Sequence, residues 1–174
     1  GASNELVAIN CNMDEFQAVI GRVQLKKLAD IVHRRQAVAA MLRERGLGEL
    51  RSVAIPQDAA ADCCYWFWRL RSRQESMPCR KAEFCAALAK RGLPINPEYS
   101  GALPARQDWF RHRSDSHPWT SAPDKTCGSR DYPTPNADTT VASHFNLMIN
   151  EAFTAKDADQ AMAIFREAEQ ELCQ

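Results

Sequence analysis

The sequence predicts an α+β fold, a small and mostly antiparallel sheet covered by helices and preceded by one long helix. Three stretches carry the prediction. From Met13 to Arg45 apolar residues recur at helical steps, from Cys63 to Arg71 bulky residues alternate as in a strand, and from Thr154 onward an amphipathic helix closes the sequence. With 174 residues, 45% of them hydrophobic and 25% charged, there is material for one domain with a sizeable core.

The long helix comes first. Asn10 and Asn12 precede Asp14 and Glu15, and Met13, Phe16, Ile20, Val23, Leu28 and Ile31 follow at steps of three to five. Acidic residues in the first turn complement the helix dipole. The pattern persists to Arg45, about 50 Å of helix if unbroken, with a bend expected near Gly21. HRRQAVAAMLRERG ends in basic residues, with Gly46 placed as a helix stop; the arginines read as a solvated face. A helix this long at the start of a small domain suits a bridge between domains or subunits.

Arg51 to Ile55 reads as a short strand ended by Pro56. Cys63 to Arg71 is the strongest strand signal, with Cys64, Trp66, Trp68 and Leu70 assigned to one face and Tyr65, Phe67 and Arg69 to the other. Bulk on both faces predicts a central strand with helices packed against it. Gln74 to Arg80 is a loop. Lys81 to Arg91 is an amphipathic helix burying Phe84, Cys85 and Leu88 and stopped by Gly92, and Leu93 to Asn96 is a second short strand.

Residues 97–135 form a long loop with little periodicity, holding Trp109, His112, His117, Trp119 and Cys127. Loops of this length in compact domains are functional or disordered, and the aromatic content favours function. Asn136 to Ser143 reads as a short helix with Asn136 as N-cap, and His144 to Asn150 as the last strand. Thr154-Ala-Lys-Asp157 resembles a capping box, followed by Ala158, Ala161, Met162, Phe165, Ala168 and Leu172 on one helical face.

Composition excludes several function classes. Lysine plus arginine equals aspartate plus glutamate at 22 each, so no basic surplus argues for nucleic acid. No apolar run reaches the length of a membrane span and the N-terminus lacks a signal-peptide pattern, which predicts a soluble cytoplasmic protein. The seven cysteines are odd in number and irregularly spaced, as expected of reduced thiols. Cys127 with His112 and His117 is the one loose zinc-type cluster, and a metal-dependent hydrolase using His112, His117 and His144 lacks ligand spacing; no metal site is expected.

The functional signal lies at the mouth of the long helix. Helix N-termini present unpaired N–H groups, so a phosphate can bind where a side-chain amide such as that of Asn10 adds a donor; capping is the plainer role for the same residue. Asn10-x-Asn12-Met13-x-Glu15-x-Gln17-Ala18-x-x-Gly21-x-x-Gln24-Leu25 resembles the N-x-R-M-x-E-x-Q-A-A-x-G-x-x-Q-L signature of the DegT/DnrJ/StrS family of pyridoxal-phosphate dependent sugar aminotransferases. Asn12 stands where that family usually has Arg. Two further segments resemble the same family: Arg91-Gly92-Leu93-Pro94, leading to Tyr99 on the substrate side, and PNADTTVASHFNLMINEAFTAKDADQAM at the close.

The resemblance implies a domain over residues 4–174 like the C-terminal small domain of a fold-type I pyridoxal-phosphate dependent transferase, with residues 13–45 as the interdomain-type helix. It implies that Asn10 binds the cofactor phosphate across a homodimer interface and that Tyr99 contacts substrate. The parent reaction would pass an amino group from an amino-acid donor to a keto-sugar or nucleotide-sugar. No catalytic residue is assigned to this chain: the family's Schiff-base lysine lies upstream of the signature, and Lys26, Lys27, Lys81, Lys90, Lys125 and Lys156 all fall far from its motif. The isolated chain is therefore expected to be inactive. The alternative is a non-catalytic sugar- or protein-binding module derived from that family.

Overall fold

A computed structural model describes residues 13–56, 63–98, 103–107 and 133–172. Two compact units are distinguished. One comprises residues 15–98 and 142–174 and holds the sheet and core; the other comprises residues 1–14 and 99–141.

In the larger unit the chain runs as helix α1 (Glu15–Glu44), strand β1 (Val53–Ala54), strand β2 (Trp68–Ser72), helix α2 (Lys81–Lys90), strand β3 (Ile95–Asn96), strand β4 (His144–Leu147) and helix α4 (Ala155–Leu172). Helix α3 (Pro135–Ser143) begins in the smaller unit and leads directly into β4. The four strands form one antiparallel sheet in the order β1-β2-β4-β3. The α+β class expected from the sequence is thus the observed one. None of the described helices is long and apolar enough to cross a membrane.

Helix α1 runs through Gly21 as one element and stops where Gly46 takes up φ 89, a left-handed conformation that suits a residue without Cβ. Gly92 ends α2 in the same way at φ 97. Helix α4 opens with a reciprocal cap: Thr154 N–H donates to Asp157 Oδ2 at 2.7 Å, and Asp157 N–H donates to Thr154 Oγ1 at 3.3 Å. Helix α3 starts one residue earlier than expected, with Pro135 in its first turn; Asn136 lies inside the helix and is not its N-cap.

The apolar core lies on one face of the sheet, and on the other Asn146 is buried as well. Trp68 lies opposite Leu147 and Leu70 opposite Phe145, while Arg69 and Arg71 point the other way opposite Asn146 and His144. The Phe84 ring of α2 meets Phe145 at 6.2 Å and Phe165 of α4 at 6.5 Å, so the two helices share the buried face. Val38, Ala39 and Leu42 bring the C-terminal part of α1 into the same core. Edge strand β1 is tied to the end of α4, because Ser52 donates to Glu169 Oε2 from its backbone N–H at 2.8 Å and from Oγ at 2.6 Å.

The aromatic strand is shorter than expected and corrects the alternation assigned to it. Only Trp68–Ser72 pairs in the sheet; Cys63–Phe67 does not. Tyr65 has φ 46, which breaks the extended backbone. Trp68 and Leu70 face the core as expected, but Cys64 is exposed and Trp66 is 71% exposed, and Tyr65, assigned to the opposite face, is buried. The interior place of the strand, between β1 and β4, is as the sequence suggested.

Candidate functional site

The part of the family-like signature from Glu15 to Leu25 lies on a stretch of α1 that contributes no buried residue to the core. Among the described residues the exposed large apolar side chains are Met13, Phe16, Val19, Ile20, Val23, Leu25 and Leu28, together with Trp66. All but Trp66 and Met13 fall on one half of one helix, with Phe16 82% and Leu25 68% exposed, and Met13 just precedes that helix. The buried residues of α1 are confined to Val38, Ala39 and Leu42. At 100° per residue, Ile20 lies on the same line along the helix as Ile31, Val38 and Leu42, so the line of apolar residues facing the core continues beyond the buried part. A Cβ added at Gly21 would meet nothing within 4 Å.

Where α1 enters the domain it is gripped by a turn between β4 and α4. Arg34 donates to the Glu151 carbonyl oxygen from Nε at 3.2 Å and from Nη2 at 2.9 Å. Arg35 Nε donates to Glu151 Oε2 at 2.9 Å, in a pair whose side chains are only 23% and 32% exposed. The Glu151 carboxyl is held below the usual carboxylate range by its own backbone N–H and then by Arg35. Further along, Gln36 Nε2 donates to the Cys63 carbonyl at 3.2 Å, and Arg43 Nη1 donates to the Tyr65 hydroxyl at 3.0 Å. The arginines read as a solvated face are thus anchors of the helix.

A second feature is a cavity of about 190 Å³ between α2 and β3, lined by Lys81, Cys85, Ala86, Ile95, Pro97 and Glu98. Lys81 is the one lysine buried among the described residues, and its Nζ donates to the His144 carbonyl at 3.1 Å. Burial pushes the Cys85 thiol up to about 12, which keeps it protonated and unreactive.

Asn10 and Tyr99, the two site residues read from the sequence, lie outside the described residues, as do His112, His117, Lys125 and Cys127. His144 sits on β4 with Nδ1 2.9 Å from Ser143 Oγ, and no group of three metal-ligating side chains occurs among the described residues. Lys26, Lys27, Lys90 and Lys156 are exposed on helices, and Lys81 is engaged by a carbonyl. What sequence reading missed is the grip on Glu151, whose partners lie 116 and 117 positions away.

A family model for the DegT/DnrJ/EryC1/StrS aminotransferase family matches residues 2–166. The chain belongs to that family. No curated protein matches it. Among solved structures it is similar to the aminotransferase TlmJ from Streptoalloteichus hindustanus, with a TM-score of 0.65 at 18% identity, covering 95% of this chain and 39% of that one. It is similar to an aminotransferase from Psychrobacter cryohalolentis, with a TM-score of 0.67 at 16% identity, covering 95% and 41%. It also resembles 3-amino-5-hydroxybenzoic acid synthase, with a TM-score of 0.66 at 19% identity, covering 93% and 40%. These likenesses are of fold, and the chain of this family member spans 39–41% of the length of those three structures.

Proposed function

We propose that this chain serves as the C-terminal portion of a pyridoxal-phosphate dependent aminotransferase, one that transfers an amino group from an amino acid to a keto-sugar or nucleotide-linked keto-sugar in the cytoplasm. The observation that carries the reading is the exposed apolar half of α1. It bears Glu15, Gln17, Ala18, Gly21, Gln24 and Leu25 of the signature, and little of it is spent on the domain's own core. Burying side chains of this size is worth roughly 1.5–3 kcal/mol each, so leaving several in water is costly unless another body covers them. In this reading the covering body is the cofactor-bearing part of the same enzyme, and the assembled protein is a homodimer.

The family match supports the amino-transfer part of the reading. Similarity to sugar aminotransferases supports the substrate class, including one from Helicobacter pylori involved in the biosynthesis of pseudoaminic acid. A similar putative sugar aminotransferase from Streptococcus pneumoniae is described in its PMP form, which supports the cofactor. Within the assembly this chain supplies Asn10 at the helix entrance to the cofactor phosphate and Tyr99 to the substrate side, while the lysine that holds the cofactor belongs to the other part. The isolated chain then has no turnover.

The test reads the gene upstream of the codon for Ala2 and mixes the purified chain with pyridoxal phosphate. A lysine-bearing upstream half, with no stable imine absorbance from this chain alone, is the expected result. A natural start at this point would sink the reading in favour of the binding module, and site-specific imine formation at one of its own lysines would sink it by placing the cofactor lysine on this chain.

A further inference from the structure

We propose that Glu151 is a positioning residue, which fixes the direction of the signature-bearing half of α1 through Arg34 and Arg35. The inference rests on the reading that this half is the working part of the helix. Consecutive helical positions diverge by about 100°, so Arg34 and Arg35 leave α1 on different sides. Both converge on one residue: Arg34 straddles the Glu151 carbonyl oxygen with Nε and Nη2, and Arg35 holds the carboxylate with Nε. The buried Val38, Ala39 and Leu42 set the roll of α1, and two contacts from different sides at Arg34 and Arg35 resist bending where the helix leaves that core.

The grip is itself held at both ends. On the helix, Asp30 Oδ2 accepts from Arg34 Nη1 at 3.5 Å, four residues earlier, which steadies the guanidinium. On the domain, the turn bearing Glu151 is locked by Asn150, whose Oδ1 accepts from Ala152 N–H at 2.8 Å and whose carbonyl accepts from Phe153 N–H at 3.3 Å. The Thr154–Asp157 cap follows at once. A rigid turn therefore meets the helix between its buried part, Val38 to Leu42, and its exposed part, Phe16 to Leu28. Planar, forked guanidinium groups suit this role because their donors act in a fixed geometry.

The test is residual dipolar couplings of backbone amides in the 174-residue chain, comparing wild type with R34M/R35M and with E151Q. In wild type one alignment tensor should fit residues 15–30 together with residues 35–44 and α4. In R34M/R35M the couplings of residues 15–30 should shrink together while those of the core stay unchanged and total helicity is kept. E151Q keeps the carbonyl and removes the ionic partner of Arg35, so it should produce a smaller loss of the same kind. A tensor that still fits both halves in R34M/R35M overturns the proposal, and so do couplings of residues 15–30 already averaged in wild type. A fall in melting temperature without a change in the couplings would mark a merely structural pair and also overturn it. None of these outcomes depends on pyridoxal phosphate, so they are separable from failure of the aminotransferase reading.

Discussion

The guanidinium of Arg43 lies 4.8 Å from the centroid of the Trp68 ring and donates to the Tyr65 hydroxyl at 3.0 Å. One side chain of α1 thus holds both the left-handed Tyr65 and the first residue of β2, and the Tyr65 and Trp68 rings meet edge-on at 5.5 Å. Replacing Arg43 by Met should cost about 2–4 kcal/mol, the sum of an exposed cation–π contact and one hydrogen bond to a charged group. Urea denaturation checks this. A Lys at the same position should recover only part of the loss, because an ammonium cannot stack and donate with the same planar geometry.

Phe16→Asp and Ile20→Asp should leave the unfolding midpoint within about 0.5 kcal/mol of wild type, since both side chains are exposed and outside the core. Self-association at high concentration should fall in both. Sedimentation and urea melts on the same samples measure the two effects, and a large loss of stability would show that this half of α1 is packed within the domain.

Asn10→Ala, made in the complete enzyme, should weaken pyridoxal phosphate by about 1.5–3 kcal/mol, the loss of one hydrogen bond to a charged group. If Asn10 only caps the helix, stability falls by about 1 kcal/mol and cofactor affinity is unchanged. Cofactor titration and a melt of the same variant separate the two.

The Thr154–Asp157 cap predicts a pH dependence. The Asp157 carboxyl lies below its ordinary value of 3.8, first because the Thr154 hydroxyl and then because the Thr154 backbone N–H donates to it. A lowered pKa contributes stability that is fully present above the ordinary value and lost as pH falls through the lowered one. Thr154→Ala should therefore narrow the difference in stability between neutral pH and pH below 3.8, which thermal melts across that range would register.

Thiol chemistry supplies the last test. Burial moves Cys85 from an ordinary 9.0 up to about 12, so the unfolded chain ionises it earlier than the folded one. Stability from this group is full below 9.0 and is lost as pH rises towards 12, and Cys85→Ala should flatten that alkaline decline. Alkylation mapped by mass spectrometry should label exposed Cys64 well before Cys85 in the native state.

Features set by a few neighbouring residues were legible in the sequence. Gly46 and Gly92 stop their helices, Thr154 and Asp157 cap theirs, and the apolar face of α4 was placed correctly apart from Ile164, which is buried and was left out. The stretch Cys63–Phe67 misled because its aromatic character is a local preference, while Tyr65 is held at φ 46 beside Arg43 and Trp68, contacts that no local pattern encodes. The arginines of α1 misled in the same way: alternation of charge looks like a wet surface until the fold brings Glu151 beside it. Of the site, the signature helix was readable and its exposure was not, because the same apolar period describes a helix packed against its own domain and one packed against another. Asn10 and Tyr99 fall outside the described residues, so their roles stand on family resemblance.

Helix α1 also has the mechanics of a lever. Its buried part is the fulcrum, and the arm from Ile31 back to Glu15 is about 24 Å at 1.5 Å per residue. A tilt of about 5° where the arm leaves the domain moves its tip by about 2 Å, more than half the length of a hydrogen bond. Small rearrangements of the sheet are therefore magnified at the helix entrance, and a loosening too slight to alter the core would still misplace whatever the tip has to reach.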